Sequence, residues 1–398
     1  METIARRIHA LEESPTLAFT QKARLMRESG IDVVSLTAGE PDFPTPRHIK
    51  DAAIRAIEND FTHYTANQGT AELIRTIIDK FAADNGLHFT PEQVMVSSGA
   101  KHSIFNALCA ILNPGDEVVI PAPYWVSYPA MVRLADGVPV TVPMPVSTGF
   151  RPDVRLLRRA IGPKTRLLII NTPGNPTGAV LTQSEIGEIA TLVAETGIMV
   201  ISDEIYEKVI FDGRRHYSIG AVREISDRVV TVNGVSKAYA MTGWRVGYMG
   251  GPEDIIRAAS RVQGQTTNNA NSIAQKATVA ALQGPQEPIR AMTAEFERRR
   301  DHVVRRLSVL RNATVPLPDG AMYAFFNVAG YFSRESSAGI IRSASDIARY
   351  LLDCHHVALV PGDAFGDPEC VRLSFACSMT ELEKGMDRIV RGFRELED

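Results

Sequence analysis

Between residues 94 and 249, short runs of β-branched and other apolar residues alternate with stretches whose apolar positions recur at helical spacing. Val94–Ser97, Glu117–Ile120, Arg166–Asn171, Ile198–Ser202, Arg228–Val232 and Arg245–Met249 read as buried strands. Helical patterns fall between most of them, so the alternation predicts an α/β fold with a mostly parallel sheet covered on both faces. One helix is well marked. After Gly99 the apolar side chains of Ile104, Phe105, Leu108, Ile111 and Leu112 share a helical face, and Asn113-Pro114-Gly115 ends the run. From about Pro285 the pattern changes to a long charged helix around Glu295 to Leu310, a short strand at Tyr323–Asn327, a further helix and a strand near Val371–Phe375. That stretch predicts a smaller α+β domain, joined by the N-terminal residues. The expected division is 1–45 as an N-terminal contribution to the small domain, 46–284 as the large domain and 285–398 as the rest of the small one.

Composition narrows the function classes. With 398 residues and 44% hydrophobic content the chain can bury a large core, and no fixed-period repeat or low-complexity stretch interrupts it. Lys and Arg number 43 against 46 Asp and Glu, a formal charge of −3 with no basic cluster, which argues against nucleic acid or a membrane surface as partner. No segment approaches a membrane span, and Met1 to Phe19 lack the unbroken apolar core of a signal peptide. The four cysteines, Cys109, Cys354, Cys370 and Cys377, form no C-x-x-C pair. They are read as reduced thiols of a cytoplasmic protein without a structural metal.

In an open parallel sheet, ligands bind beyond the carboxyl ends of the strands. The residues there form a coherent set: Gly99-Ala100-Lys101, Tyr124-Trp125, Asn175 to Gly178, Asp203 with Tyr206, and Ser236-Lys237 followed by Arg245. Each suits a phosphorylated pyridine aldehyde. The turn at Gly99-Ala100 starts a helix whose free N–H groups attract a phosphate, to which Ser236 adds a hydroxyl and Arg245 a guanidinium fork. Asp203 would pair with a protonated pyridine nitrogen, Trp125 would stack on the ring, and Asn175 and Tyr206 would hydrogen-bond its phenolate oxygen. Lys237 would form a Schiff base with the aldehyde. Taken singly, each position has an ordinary reading as a surface lysine, a helix cap, a turn or an ion pair; their shared place at one sheet edge is the signal.

From about Ser14 onward the chain resembles the class I and II aminotransferases of pyridoxal-phosphate (PLP) fold type I. Ser236 to Tyr248 looks like the lysine signature of that family. Ala38 to Phe43, Tyr64 before Gly69, Asn171 to Gly178, Ser202 to Tyr206 and Arg372 to Ser374 agree in order and spacing. The resemblance implies a large domain with a seven-stranded sheet, PLP as cofactor, and a ping-pong exchange of amino groups between an amino acid and a 2-oxo acid. Lys237 would be the acid and base, Arg372 would clamp the α-carboxylate with Asn175 and Gly39, and Tyr64 would reach the cofactor phosphate of a second subunit in a homodimer.

Within the family the chain is similar to the bacterial aspartate and plant-type aspartate/prephenate branch, through Pro123 to Tyr128, Val232 to Lys237, Ser272 to Ala277 and Val360 to Gly366. That branch implies that Thr16 and Lys101 hold a second substrate carboxylate. Lys101 has an equal reading as a counter-charge to phosphate. Two departures stand out. Gly234 replaces a phosphate-binding serine, and Glu12, beside Glu13, would repel an acidic substrate if it faced the pocket. A PLP enzyme of the same fold with specialised chemistry, as a lyase, cyclase, oxidase or biosynthetic transaminase for an unusual amino acid, is the alternative. A nucleotide-binding protein lacks its glycine-rich motifs here.

Overall fold

The computed structural model describes residues 4–9, 11 and 15–397. Strand β1 (Val34–Ser35) precedes the sheet formed by β2 (Val94–Ser97), β3 (Glu117–Ala122), β4 (Val138–Pro143), β5 (Thr165–Asn171), β6 (Met199–Asp203), β7 (Val229–Gly234) and β8 (Gly247–Gly250). These seven lie in the order β2-β8-β7-β6-β5-β3-β4. The run from β4 to β7 is parallel, and β8 is antiparallel to both its neighbours. Helices cover both faces, as a sheet buried on each side requires. Ile104, Leu108 and Ile111 of the helix Ala100–Ile111 pack with Leu167, Ile169, Ile201 and Val232. Leu168, Ile170 and Val200 point the other way, against Ile186, Ile189 and Val193 of the helix Gln183–Thr196.

The sequence reading placed six of these strands. It missed β4, whose Val-Pro-Val-Thr-Val-Pro run looks unlike a strand because proline cannot donate to a ladder. At the sheet edge one side needs no donors, and there the prolines are tolerated. Arg245 is also corrected: it is a turn residue with φ 56°, and β8 begins at Gly247. The long charged helix runs from Glu287 to Leu307, earlier at both ends than the pattern indicated.

The second lobe is built on β9 (Tyr323–Asn327), a two-residue hairpin of β10 (Glu335–Ser336) and β11 (Gly339–Ile340), then β12 (Val357–Ala358), β13 (Val360–Pro361) and β14 (Cys370–Ser374). Strand β14 is central, with β13 and β9 antiparallel on either side. The N-terminal segment joins here, because β1 pairs in parallel with β12 through Val34↔Val357 and Ser35↔Ala358. Phe296, Val303, Phe326, Tyr331, Ile389 and Phe393 fill this lobe's core. Among the described residues no helix is long and apolar enough to cross a membrane.

Candidate active site

The residues singled out by their place after the strands converge. Ala100 and Lys101 open the helix after β2, Trp125 lies in the turn after β3, and Asn175 lies in the loop after β5. Asp203 ends β6 with Tyr206 just beyond, Ser236 and Lys237 follow β7, and Arg245 precedes β8. Gly39 and Arg372 reach in from the segments that flank the sheet lobe in sequence. All of them line one cavity of about 260 Å³. Gly99 stands directly behind it, with φ 94°, and a Cβ there would strike the Arg245 guanidinium. The left-handed backbone and this close approach explain the glycine. Tyr64 does not line the cavity; its side chain is 88% exposed. Thr16 and Glu12 fall outside the side chains described.

The floor of the cavity is set by Asp203. Its carboxylate accepts a 2.6 Å hydrogen bond from the Tyr128 hydroxyl and a 3.2 Å bond from the Ile205 N–H. No cation among the described residues pairs with it. Burial therefore dominates and pushes its pKa up to about 6, even though the two hydrogen bonds pull the other way; the neighbouring Glu204 adds to the rise and Lys237 opposes it. A buried carboxylate in this condition lacks a positively charged partner. The loop that carries Asn175 is tied to the same strand end. Asn171 donates to the Asp203 carbonyl at 2.8 Å, and its own side-chain oxygen accepts from the Asn175 N–H at 2.8 Å.

Lys237 Nζ donates to the Gly39 carbonyl. Burial draws its pKa down to about 8; Glu40 and Asp203 oppose this, while Arg372 and Arg245 reinforce it. A lysine so placed is neutral far more often near neutral pH than an exposed one, and the neutral form is what a nucleophile or base needs. The segment bearing Gly39 is strapped across the lysine turn. Thr242 donates to Glu40 at 2.6 Å, Thr45 donates to the Ala240 carbonyl at 2.6 Å, and the Trp244 indole donates to Thr45 at 3.0 Å. Asp42 is held from behind by Arg299 at 2.7 Å.

Two cationic ends complete the cavity. Lys101 and Arg245 stand at the N-terminus of the helix Ala100–Ile111, and neither pairs with a carboxylate among the described residues. The Lys101 pKa is lowered by burial and by the like charge of Arg245. Helix dipole, two cations and the Ser236 hydroxyl together favour an anion. At the opposite end Arg372 is 3% exposed. Its guanidinium lies between the rings of Tyr323 and Phe365, at 4.5 and 4.8 Å from their centroids. It donates to Asn175 Oδ1 at 3.0 Å and to the Thr37 carbonyl at 2.9 Å, and its Nε is buried with no partner among the described residues. Sequence reasoning passed over Tyr128 and Tyr323. Tyr323 shares a 2.8 Å hydrogen bond with Tyr206 and faces Arg372, while Tyr128 sits one helical turn past Trp125; that spacing was the only available signal.

The sequence profile described as aminotransferase class I and II matches residues 31–389. The chain belongs to the class I and II aminotransferases. It is 44% identical to the aspartate/prephenate aminotransferase of Nitrosomonas europaea over 390 residues, covering 97% of this chain and 98% of that one. It is 44% identical to the aspartate aminotransferase of Geobacillus stearothermophilus, covering 98% of each. Among solved structures, the aspartate aminotransferase of Rhizobium meliloti superposes with a TM-score of 0.97 at 41% identity, covering all of both chains. That of Thermus thermophilus, determined with maleate, gives 0.91 at 42% identity, covering 98% of this chain and all of that one. The aminotransferase is thus PLP-dependent and exchanges amino groups between amino acids and 2-oxo acids. Its cavity fits the cofactor on its own terms. A buried carboxylate at Asp203 and a cationic pair at Lys101 and Arg245, none of them in an ion pair among the described residues, together with a lysine at 237 whose pKa burial draws down to about 8, have the character that a pyridine nitrogen, a phosphate and an aldehyde would require.

Proposed function

We propose that this aminotransferase acts on acidic amino acids, with aspartate and 2-oxoglutarate as a natural pair, and that the cavity residues divide the work as follows. PLP, when bound, supplies an electron sink for the pair of electrons left at the substrate Cα. Asp203 keeps that sink effective by holding a proton at the ring nitrogen, and burial makes the carboxylate seek that proton. Tyr206, fixed by Tyr323, and Asn175 would hydrogen-bond the ring's phenolate oxygen, and Trp125 would offer the stacking face. Gly99, Ala100, Ser236 and Arg245 would form the phosphate cradle, leaving Lys101 for the substrate.

Arg372 carries the reading. A buried guanidinium packed against two rings, with Nε unpaired and no carboxylate partner among the described residues, is an incomplete ion pair that a substrate α-carboxylate would complete by a bidentate contact. With the α-carboxylate fixed there, Lys237 Nζ stands over the cavity to take the Cα proton and return it, and Gly39 orients both lysine and substrate.

The acidic preference is supported by Lys101. Its ammonium lies 4.9 Å from the Trp125 ring centroid without an anionic partner among the described residues, and a distal carboxylate would supply one, with Thr16 assisting. Names borne by the relatives agree, as does the dicarboxylate maleate in the Thermus thermophilus structure. We read the working unit as a cytoplasmic homodimer in which Tyr64 of one copy reaches the cofactor phosphate of the other, each copy divided into lobes near residues 45 and 285.

Steady-state kinetics of Lys101→Met with aspartate and with a neutral amino acid test the assignment. The expected result is a KM for aspartate raised roughly tenfold, the loss of about one charged contact, with the neutral donor and cofactor affinity little changed. Equal loss for both donors together with weakened cofactor binding assigns Lys101 to the phosphate instead and removes the structural support for an acidic substrate.

A further inference from the structure

The strand-and-turn geometry around Asp203 has a second face that the reaction does not use. Side chains alternate along β6, so Ser202 and Glu204 point away from the cofactor side that Asp203 occupies. In the turn that follows, Tyr206 returns to the cavity and Glu207 again points behind it. Glu204 is fully buried, and Glu207 is nearly so. Behind the active site these two carboxylates meet Lys80, from the end of the helix Ala71–Lys80, and His216, from the loop after the turn.

Nearly every polar atom in this cluster is engaged. Glu204 accepts from Ser202 at 2.8 Å, Ser218 at 2.7 Å, Asn85 at 3.0 Å and His216 Nε2 at 2.7 Å. Glu207 pairs with the Lys80 ammonium and accepts from Asn85 at 2.7 Å. Asp84 lies 3.7 Å from Lys80 and pairs with Lys208 at 2.8 Å. The ligand atoms that Glu204, Glu207 and His216 offer lie within 4.8 Å of one another, but Glu207 already pairs with the Lys80 ammonium and Glu204 with His216 Nε2. Arg214, next along the loop, turns away to Asp319 at 3.0 Å.

Charge decides the role of the remaining group. Glu204, Glu207 and Asp84 bring three negative charges, and Lys80 and Lys208 bring two positive ones. Asp84 and Lys208 are partly exposed and pair with each other, but for the buried Glu204, Glu207 and Lys80 the shortfall of one positive charge is costly, and among the described residues the group in contact with it that can take up a charge is His216, whose side chain is 7% exposed. We propose that His216 is a positioning residue: as the third cation of this cluster it holds Glu204 and Glu207, and through them the face of the turn that presents Asp203 and Tyr206 to the cofactor. The inference rests on the roles given to those two residues above. Burial opposes a proton on His216, yet Glu204 and Glu207 outweigh it and raise its pKa. Nε2 is taken by Glu204 while Nδ1 has no partner among the described residues, so a second proton there would be favoured by the field of the carboxylates and not by a hydrogen bond. Because Glu204 also pushes the Asp203 pKa upward, an uncompensated Glu204 would make Asp203 a weaker acid.

The test uses full-length, cofactor-free protein labelled with ¹³C at the Asp carboxyls and His rings, with resonances assigned through Asp203→Asn and His216→Gln. In the wild type, His216 should titrate above the ordinary histidine range. His216→Gln keeps an N–H donor at similar reach but carries no charge, and should weaken the acidity of Asp203 by roughly threefold or more. Glu204→Gln combined with His216→Gln restores the charge balance and should bring Asp203 back. An Asp203 midpoint that is the same in all three proteins, or a wild-type His216 that is neutral below pH 6.5, overturns the proposal. The wild-type titration needs no variant to fold. Failure of the broader site assignment would show separately, as cofactor affinity indifferent to Asp203→Asn.

Discussion

Replacing Asp203 by asparagine should make the cofactor-free protein more stable while ruining it as a catalyst, and the size of the effect follows from the structure. Asparagine nearly matches the carboxylate in shape. It retains an acceptor for the Ile205 N–H, and its amide can donate to the Tyr128 hydroxyl oxygen, so packing and hydrogen bonding survive. What disappears is the ionisation. The wild-type pKa is raised from 3.8 to about 6, chiefly by burial. A group whose folded pKa lies above its unfolded one stabilises the fold fully below the unfolded value, and that stability is lost as the pH rises through the folded value. For Asp203 the whole loss is roughly 3 kcal/mol, complete by about pH 7.5 and one-third complete near pH 4.5. Urea midpoints of cofactor-stripped wild type and Asp203→Asn, measured from pH 4.5 to 7.5, should therefore diverge in favour of the variant by about 2 kcal/mol across that window. Saturating PLP should reverse the order, because only the wild type has an anion to offer the ring nitrogen. A stability gap that stays constant with pH would show that Asp203 is not an unsatisfied buried carboxylate, and the argument for a cationic ring nitrogen above it would fail.

Two further outcomes are expected. Tyr128→Phe removes the 2.6 Å hydrogen bond that favours the ionised form of Asp203, so cofactor affinity should fall about tenfold by equilibrium titration, consistent with a hydrogen bond to a charged group. Unchanged affinity would reduce Tyr128 to packing. Gly178→Ala introduces a Cβ 2.7 Å from Pro318 Cβ and 2.8 Å from the Gly320 carbonyl, at φ 70°. It should cost about 1–3 kcal/mol in thermal unfolding and raise KM for amino acids by displacing the Asn175 loop.

The sheet, and most of the cavity, could be read from the residues because both depend on local pattern. Apolar runs mark buried strands, and the polar residues that end them must lie at one edge of the sheet. What escaped depends on contacts remote in sequence. β4 is a strand only because it lies on the outside of β3, where its prolines need no partner. Tyr323 reaches the cavity through a register that sets Phe325 opposite Arg372, and no local pattern announces that register. Arg245 was placed in the right site but in the wrong conformation, since a left-handed backbone is rare for an arginine and nothing in the local pattern announces it. The turn after β6 was read for Asp203 and Tyr206 alone; the equal regularity of Glu204 and Glu207 becomes meaningful only once Lys80 and His216 are seen behind them.

The pairing of β2 with β8 has a consequence for how the polypeptide emerges from the ribosome. Val94 finds its ladder partner in Gly250, and Val34 waits for Val357. The earliest strands to be synthesised are thus among the last to be satisfied. During translation their apolar faces and open edges stay available to other chains, and productive folding of this enzyme should depend on chaperone cover until the closing segments arrive.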